Sequence, residues 1–241
     1  MSETMNDPVT HAKSYPFPVM GKSYVFRDGM PYDMPDAGFD KTGRTPVLAA
    51  GSNQSHEQLA RKYAGILEHT EIPIQRAMLS DFDSVYAAHL AAYGSVPSTL
   101  FPSDGTRVTT YVLWLDDSQL NRMHETERNY TYDHLYDINV RIEDSDELLG
   151  EAYAYSAKVG CIGHCGKPIA LREIPALNRN FPSMSQVGIL EHVRNRLVPE
   201  EPLDVFIGAH IANPELRAFR TSGLSEGAIF PNFPRTVIGE F

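Results

Sequence analysis

The sequence predicts an α+β protein: a strand-rich centre with helices set between and after the strands. Three stretches carry that expectation. "TRVTTYVLWLDD", residues 106–117, is a β-branched and aromatic run that reads as a strand up to Leu115. "YDINVRI", residues 136–142, alternates cleanly, with Tyr136, Ile138, Val140 and Ile142 on one side and Asp137, Asn139 and Arg141 on the other. "LAAGSNQS", residues 48–55, stops an apolar run abruptly at Gly51-Ser52-Asn53 and begins a helix-like segment almost at once.

In chain order, residues 1–45 are rich in Pro, Gly, Asp and Tyr, and turn formers recur too often for a long helix. This part reads as an extended arm that packs its Tyr and Phe residues on the body. Residues 46–158 form the expected core. Val47–Ala50 is a short buried strand, and Ser55-His56-Glu57-Gln58 has the form of a capping box, in which Ser55 and Gln58 would satisfy free amides at a helix start. Leu59, Tyr63, Ile66 and Leu67 then share one helical face. "VYAAHLAAYGSVPSTLFPSDGTRV" reads as strand, loop and turn, with Ser103-Asp104-Gly105 as the turn. Asp116, three residues before Gln119, repeats the helix-start signature, and "SQLNRMHETERN" follows as a helix. After the alternating strand, "EAYAYSAK" reads as another. Residues 159–241 change character and form an expected C-terminal helical extension docked on the core. It holds two helices split by Asn180-Phe181-Pro182, then a capped helix from "NPELRAF", then a Pro/Phe-rich strap.

The bulk properties narrow the function classes. The chain has 241 residues, 42% hydrophobic and 22% charged, as ordinary globular proteins do. A net charge of -10 with no Lys/Arg run argues against nucleic acid and against anionic membrane surfaces. No apolar run approaches a membrane span. The N-terminus has acidic residues and prolines but no apolar core, so it does not read as a signal peptide. Two cysteines are too few for a disulfide framework. The expectation is a cytoplasmic protein acting on a small molecule or peptide that carries a carboxylate, with no cofactor and with oligomeric state open.

One charged residue sits in an unexpected place. At about 100° per residue, Leu120, Met123 and Glu127 fall on nearly one line of their helix, while Glu125 turns about 160° away. A carboxylate on a buried stripe is costly unless paired, hydrogen-bonded or protonated. Desolvation moves such a group toward the range where it exchanges protons near neutral pH. The plain alternatives are a structural ion pair with Arg122 or Arg128, or a helix that ends before Glu127.

Together, the Gly51-Ser52-Asn53 loop after a buried strand and the segment "WLDDSQLNRMHETERNY" resemble the gamma-glutamylcyclotransferase-like proteins. Family members carry a Leu-Asp-x-x-Glu-Gly type segment at the second place. Here Met123 and His124 stand at the Leu-Asp positions, Glu127 at the glutamate and Arg128 at the glycine. The resemblance spans roughly Pro46 to Ser156. It implies a small, mixed β-barrel-like sheet flanked by helices, with a pocket at one mouth. It also implies a reaction in which a gamma-glutamyl substrate's α-amine attacks its own γ-carbonyl and releases 5-oxoproline. Glu127 would shuttle the proton, and amides of the Gly51–Asn53 loop would cradle the oxyanion and substrate carboxylate, with Gly51 allowing close approach. The resemblance further places Tyr93 and Gly94, within "YGSVPST", on the pocket rim, and His89 beside it. The chain departs from the pattern at Ala50, where an aromatic residue usually precedes the Gly-Ser-Asn, at His124 and Arg128, and in its long extension. With Ala50 counted among them, the expected substrate-binding residues are Ala50, Gly51, Ser52, Asn53, Tyr93 and Gly94.

"CIGHCG" brings Cys161, His164 and Cys165 together, but structural zinc takes four ligands and no second Cys pair exists, so no metal site is expected. His210 reads as a hydrogen-bonded residue rather than a catalyst. Ser52 lacks the glycine elbow of a hydrolase nucleophile, so its hydroxyl is read as a helix cap or a substrate contact. Two function classes stand: an amide-cleaving cyclotransferase using Glu127, and a catalytically silent module binding a small anion or a partner on the same fold.

Overall fold

A computed structural model describes residues 7–66, 70–143 and 145–241. The elements run α1 (Pro8–Lys13), β1 (Tyr24–Arg27), β2 (Met30–Asp33), β3 (Thr45–Ala49), a single 3-10 turn (Ser52–Gln54), α2 (His56–Lys62), β4 (Glu71–Tyr86), β5 (Ser98–Leu115), α3 (Asp117–Thr126), β6 (Tyr130–Ile142) and β7 (Leu148–Ala157). Several two-residue strands follow, then α4 (Gln186–Leu197), α5 (Leu203–Ala212), α6 (Pro214–Ser225) and a C-terminal strand (Arg235–Glu240).

Five strands close on themselves in the order β4-β5-β3-β7-β6, with β6 returning to β4. All neighbours are antiparallel except β3 and β7, which run parallel with Val47 opposite Tyr153 and Leu48 opposite Ala154. The result is the α+β, mixed-barrel architecture expected. No described helix is long and apolar enough to cross a membrane.

The apolar runs in the sequence have a simple cause. Successive side chains of a strand point to opposite faces. Val47 and Ala49 of β3, with Tyr111, Leu113 and Leu115 of β5, join a core that also holds Leu59, Tyr63 and Met123 from the α2–α3 side. Leu48, Val112 and Trp114 join a second core with Ile189, Leu190 and Val193 of α4 and Phe206 and Ile207 of α5. Strands buried on both faces read as continuous rather than alternating hydrophobic runs.

Several local expectations change. The arm is not simply extended: Asp7 caps α1, its Oδ2 accepting from the Thr10 amide at 2.9 Å, and the β1–β2 hairpin adds to the sheet with Tyr24 opposite Ile74. The Ser55–Gln58 box does not form, because the 3-10 turn directly precedes α2, sends the Ser55 amide to the Ser52 carbonyl at 2.9 Å, and buries the Ser55 hydroxyl. Helix α2 stops at Lys62, short of Gly65 at φ +120°, so Ile66 is exposed, and Leu67 lies outside the described residues. The Asp116–Gln119 box does form. Residues 103–106 bulge within β5, since Ser80 faces Arg107 while Phe82 already faces Pro102, and the Gly105 amide donates to Asp81 at 2.7 Å. In β6 the alternation breaks at a bulge with Asp137 at φ +57°, which leaves Tyr136 exposed while Val140 and Ile142 are buried.

Across residues 170–197 the extension has one helix, α4, where two were expected. Pro175 and Pro182 break the segment before it, which instead lays short strands on the barrel: Ala170 opposite Val85 and Ala176 opposite Val108. Helix α5 and the C-terminal strand, which pairs with β6, were not legible in the sequence. A buried ion pair fixes the extension: Arg179 Nε and Nη2 donate to Asp83 at 2.8 and 3.0 Å, and Asp83 has no exposed surface. Burial pushes the Asp83 carboxyl up, and Arg179 opposes that shift. Removing one partner leaves an uncompensated buried charge. Arg179→Met is therefore expected to cost about 3–5 kcal/mol, read in urea unfolding as a lower midpoint at unchanged slope; a loss below about 1 kcal/mol, the scale of an exposed pair, would show that the bond does not anchor the extension.

Candidate active site

The Gly-Ser-Asn loop leaves β3 in a tightly held form. Ser84 Oγ and Ser98 Oγ both donate to the Ala50 carbonyl, at 2.5 and 3.0 Å. The Ser98 proton is thus committed, so the Tyr15 hydroxyl donates to Ser98 Oγ at 2.9 Å and accepts from the Ser98 amide at 2.9 Å. Gly51 has φ -157° and ψ -139°, outside the left-handed region. Its lack of a side chain is a matter of space: a Cβ there would lie 2.3 Å from Ser98 Oγ and 2.4 Å from the Tyr15 hydroxyl. The close approach that glycine permits is that of Tyr15 and Ser98, and the Ser52 amide is turned toward the same Tyr15 oxygen. Tyr93 reaches the Ser52 side chain. No side-chain hydrogen bond caps the turn or helix that follows.

Glu127 is the C-terminal cap of α3, one residue past the helix, at φ -106°, and is only 7% exposed. The helix does end before it, yet the residue stays buried, below Met123 on the same stripe. Its Oε1 accepts from Asn53 Nδ2 at 2.8 Å and from the Lys62 ammonium. Both donors converge on Oε1; among the described residues Oε2 has no protein donor. Neither expected arginine pairs with it. Arg128 Nε reaches the Glu125 carbonyl at 3.3 Å, and Arg122 donates to the Lys62 carbonyl at 2.6 Å and to Glu125 at 2.5 Å.

Lys62 is the functional residue that sequence reasoning missed, although a signal was present. It lies three residues after Leu59 and one before Tyr63, on the buried stripe of α2, as Glu127 lies on that of α3. Two opposite charges, each on a buried face, imply each other. The residue is 8% exposed, and its ammonium has Glu127 and, at 3.5 Å, the Met123 sulfur as its hydrogen-bond partners.

These groups open on a cavity of about 960 Å³. Ala50, Gly51, Ser52, Asn53, Tyr93, Lys62 and Glu127 all line it. Gly94 does not: at φ +92° it packs against Ile211 and Ala12, and its carbonyl accepts from buried His210 Nε2 at 2.9 Å. The walls come from all three parts of the chain, with Tyr15 from the arm, Tyr130 and Tyr155 from the barrel, and Arg217 and Thr221 from α6. Burial pushes the phenols of Tyr15, Tyr93, Tyr130 and Tyr155 up, and each feels the charge of Glu127. They are neutral hydroxyls at physiological pH. His124 does not face the carboxylate as a charge partner; its Nδ1 meets the Tyr155 hydroxyl at 2.8 Å and its ring stacks on Phe241. Cys161 is buried, its thiol pushed up to about 12 by burial, whereas Cys165 is exposed.

His89 also lines the cavity, 3% exposed, with the ring of Tyr130 edge-on at 5.3 Å and no partner for Nδ1 among the described residues. Burial pushes its imidazole down to about 4. In the unfolded chain a histidine binds its proton near 6.5. Between about 6.5 and 4 the unfolded state therefore holds a proton that the folded state lacks, and stability falls as pH falls through that window. Replacing His89 with Gln removes this contribution, although His11, His124, His192 and His210, all shifted down by burial, keep theirs. The stability lost between about pH 7 and pH 4.5 is expected to be smaller in the variant by about 2–3 kcal/mol. Urea unfolding at the two pH values checks this, and equal losses would show that His89 titrates normally in the fold.

No family model and no curated protein matches the chain. Among solved structures, a solution structure of At5g39720.1 from Arabidopsis thaliana is 22% identical, with 49% of this chain and 72% of that one covered and a TM-score of 0.38. A gamma-glutamyl cyclotransferase is 14% identical, with 82% and 94% covered and a TM-score of 0.39. An uncharacterized protein from Homo sapiens, loc79017, is also 14% identical, with 82% and 95% covered and the same TM-score of 0.39. Similarities of this size assign no activity to this chain.

Proposed function

We propose that this protein is an amide-cleaving enzyme of the gamma-glutamyl cyclotransferase type, which releases 5-oxoproline from a gamma-glutamyl amine or peptide. One observation carries the reading. Asn53 of the Gly-Ser-Asn loop and Glu127, which are 74 residues apart in the chain, meet in a 2.8 Å hydrogen bond at the wall of one cavity. Two motifs that only resemble a family in the linear sequence thus form one piece of chemistry in three dimensions.

The reaction asks for three things. The substrate's α-amine must lose a proton as it attacks the γ-carbonyl, and the leaving nitrogen must gain one. A single carboxylate does both when one oxygen is held and the other is free. Asn53 and Lys62 hold Oε1, and Oε2 carries the proton. The oxyanion that forms in between needs fixed donors, for which the Gly51–Asn53 backbone, apart from the Ser52 amide turned to Tyr15, and the neutral Tyr93 hydroxyl stand on the cavity wall. The cavity must also exclude bulk water while admitting a dipeptide-sized ligand. At about 960 Å³ it lies within the range of small-molecule sites.

The buried pair between Lys62 and Glu127 is equally compatible with a silent binding module, so activity decides between the two classes. Purified protein incubated with a panel of gamma-glutamyl dipeptides and gamma-glutamyl amines is expected to yield 5-oxoproline by mass spectrometry. Glu127→Gln is expected to lower kcat/KM by about 10²–10⁴-fold, the usual worth of a general acid–base. Equal product from both proteins would move the proton carrier away from Glu127. Absence of product across the panel would favour the binding module.

A further inference from the structure

Lys62 has no place in the resemblance, yet it is the most buried lysine environment at the site and it faces the cavity. An ammonium has three donors. One goes to Glu127 Oε1 and a second is in weak contact with the Met123 sulfur at 3.5 Å, which leaves the third. Glu127, for its part, keeps Oε2 unoccupied by protein donors among the described residues. The cavity wall therefore presents a buried positive and a buried negative group side by side, each with one hydrogen-bonding position still open.

We propose that this pair is a receptor for a zwitterion: the α-carboxylate of the ligand docks on Lys62 and its α-ammonium on Glu127 Oε2, so that Lys62 is the residue selecting substrates with an intact α-amino acid head. The proposal rests on the cyclotransferase reading for the identity of the head, a gamma-glutamyl group, and adds the residue that recognises its carboxylate. The physical reason is charge balance. In a water-poor site each added charge must find an opposite one. A zwitterion brings one of each, laid against the complementary member of the pair, and the site stays neutral. A ligand with only a carboxylate meets Lys62 but sets a second negative charge beside Glu127. A ligand with only an ammonium meets Glu127 but sets a second positive charge beside Lys62. Discrimination of this kind comes as much from the penalty on the wrong ligand as from attraction to the right one. Binding also places the α-nitrogen on Oε2: the ammonium gives one proton to solvent to become the attacking amine, and the second, lost on attack, passes through Oε2 to the leaving nitrogen, so recognition and catalysis use the same contact.

The test compares three N-methylamides: gamma-glutamyl methylamide, glutaric acid monomethylamide, which lacks the α-amine, and 4-aminobutanoyl methylamide, which lacks the α-carboxylate. Calorimetry gives their affinities for the parent protein, Lys62→Met and Lys62→Arg, and mass spectrometry follows turnover in the same samples. The parent is expected to prefer gamma-glutamyl methylamide over 4-aminobutanoyl methylamide by about tenfold or more. In Lys62→Met that preference is expected to fall to about twofold or less, with Lys62→Arg retaining part of it. A folded Lys62→Met that keeps the parent's preference, or that weakens all three ligands equally, overturns the proposal, as does a parent that binds none of them. If thermal melting shows that Lys62→Met does not fold, the Lys62→Met/Glu127→Gln double variant, which buries no charge at the site, is compared with Glu127→Gln: weaker binding of glutaric acid monomethylamide to the double variant supports the proposal and equal binding overturns it. Turnover separates the two readings. A parent that shows the carboxylate preference but makes no 5-oxoproline removes the reaction and leaves the zwitterion site. Turnover with the preference unchanged in Lys62→Met removes only the role of Lys62.

Discussion

A buried carboxylate held by one lysine and one asparagine is the constraint around which the rest of this molecule is arranged. Glu127 leaves the end of α3, Lys62 the end of α2, and Asn53 the turn after β3. Neither charge is tolerable alone where it sits: Glu127 and Lys62 are each under a tenth exposed, and a lone buried charge costs several kcal/mol. Their meeting therefore fixes how α2 and α3 lie against the barrel, and this in turn shapes the cavity. The Arg122 bond to the Lys62 carbonyl and the Tyr63 hydroxyl bond to the Gln119 carbonyl, at 2.6 and 3.0 Å, tie the same two helices together away from the charges. The two helices are thus tied by more than the charged pair.

The parts of the fold that the sequence made legible are those where one local rule acts without interference. β3 and β5 were readable because both their faces are buried, so an apolar run needs no alternation. α3 was readable because Asp116 and Gln119 satisfy each other across one turn. The rest failed for identifiable reasons. A Pro-containing segment such as residues 170–184 has no periodicity of its own and gains its strands by pairing with β4 and β5, which a local pattern does not reveal. In β6 the alternation was real on either side of Asp137, but a bulge between them shifted the phase and exposed Tyr136. The site divides the same way. Glu127 stands out as a charge on an apolar stripe, while Lys62 does not, since lysines in last helical turns are common and usually solvated.

The departure at Ala50 has a structural counterpart. Where an aromatic residue is expected next to the Gly-Ser-Asn loop, this chain has the smallest chiral side chain, and the loop is reached instead by Tyr15 from the arm. Tyr15 stacks near Tyr93, their ring centroids 6.5 Å apart, and its hydroxyl closes over Gly51 and Ser98. Gly51 and Tyr15 are thus one decision: a side chain at position 51 would collide with the Tyr15 hydroxyl or push it away. This makes the N-terminal arm part of the wall around Glu127.

The extension is bound into the site by the same logic. The loop after β4 carries His89 and Tyr93, and its course is set from outside the barrel: the Leu90 amide donates to Thr221 Oγ1 of α6 at 3.2 Å, and His210 of α5 holds the Gly94 carbonyl. Arg217 and Thr221 then face the cavity beside the groups they support. A barrel stripped of α5 and α6 would lose both that wall and the hydrogen bonds that define the loop, and a barrel stripped of the arm would lose Tyr15. The cavity belongs to the whole chain, which is why its shape could not be read from the two motifs that announce it, and why a ligand seated on Lys62 and Glu127 would meet side chains from all three parts.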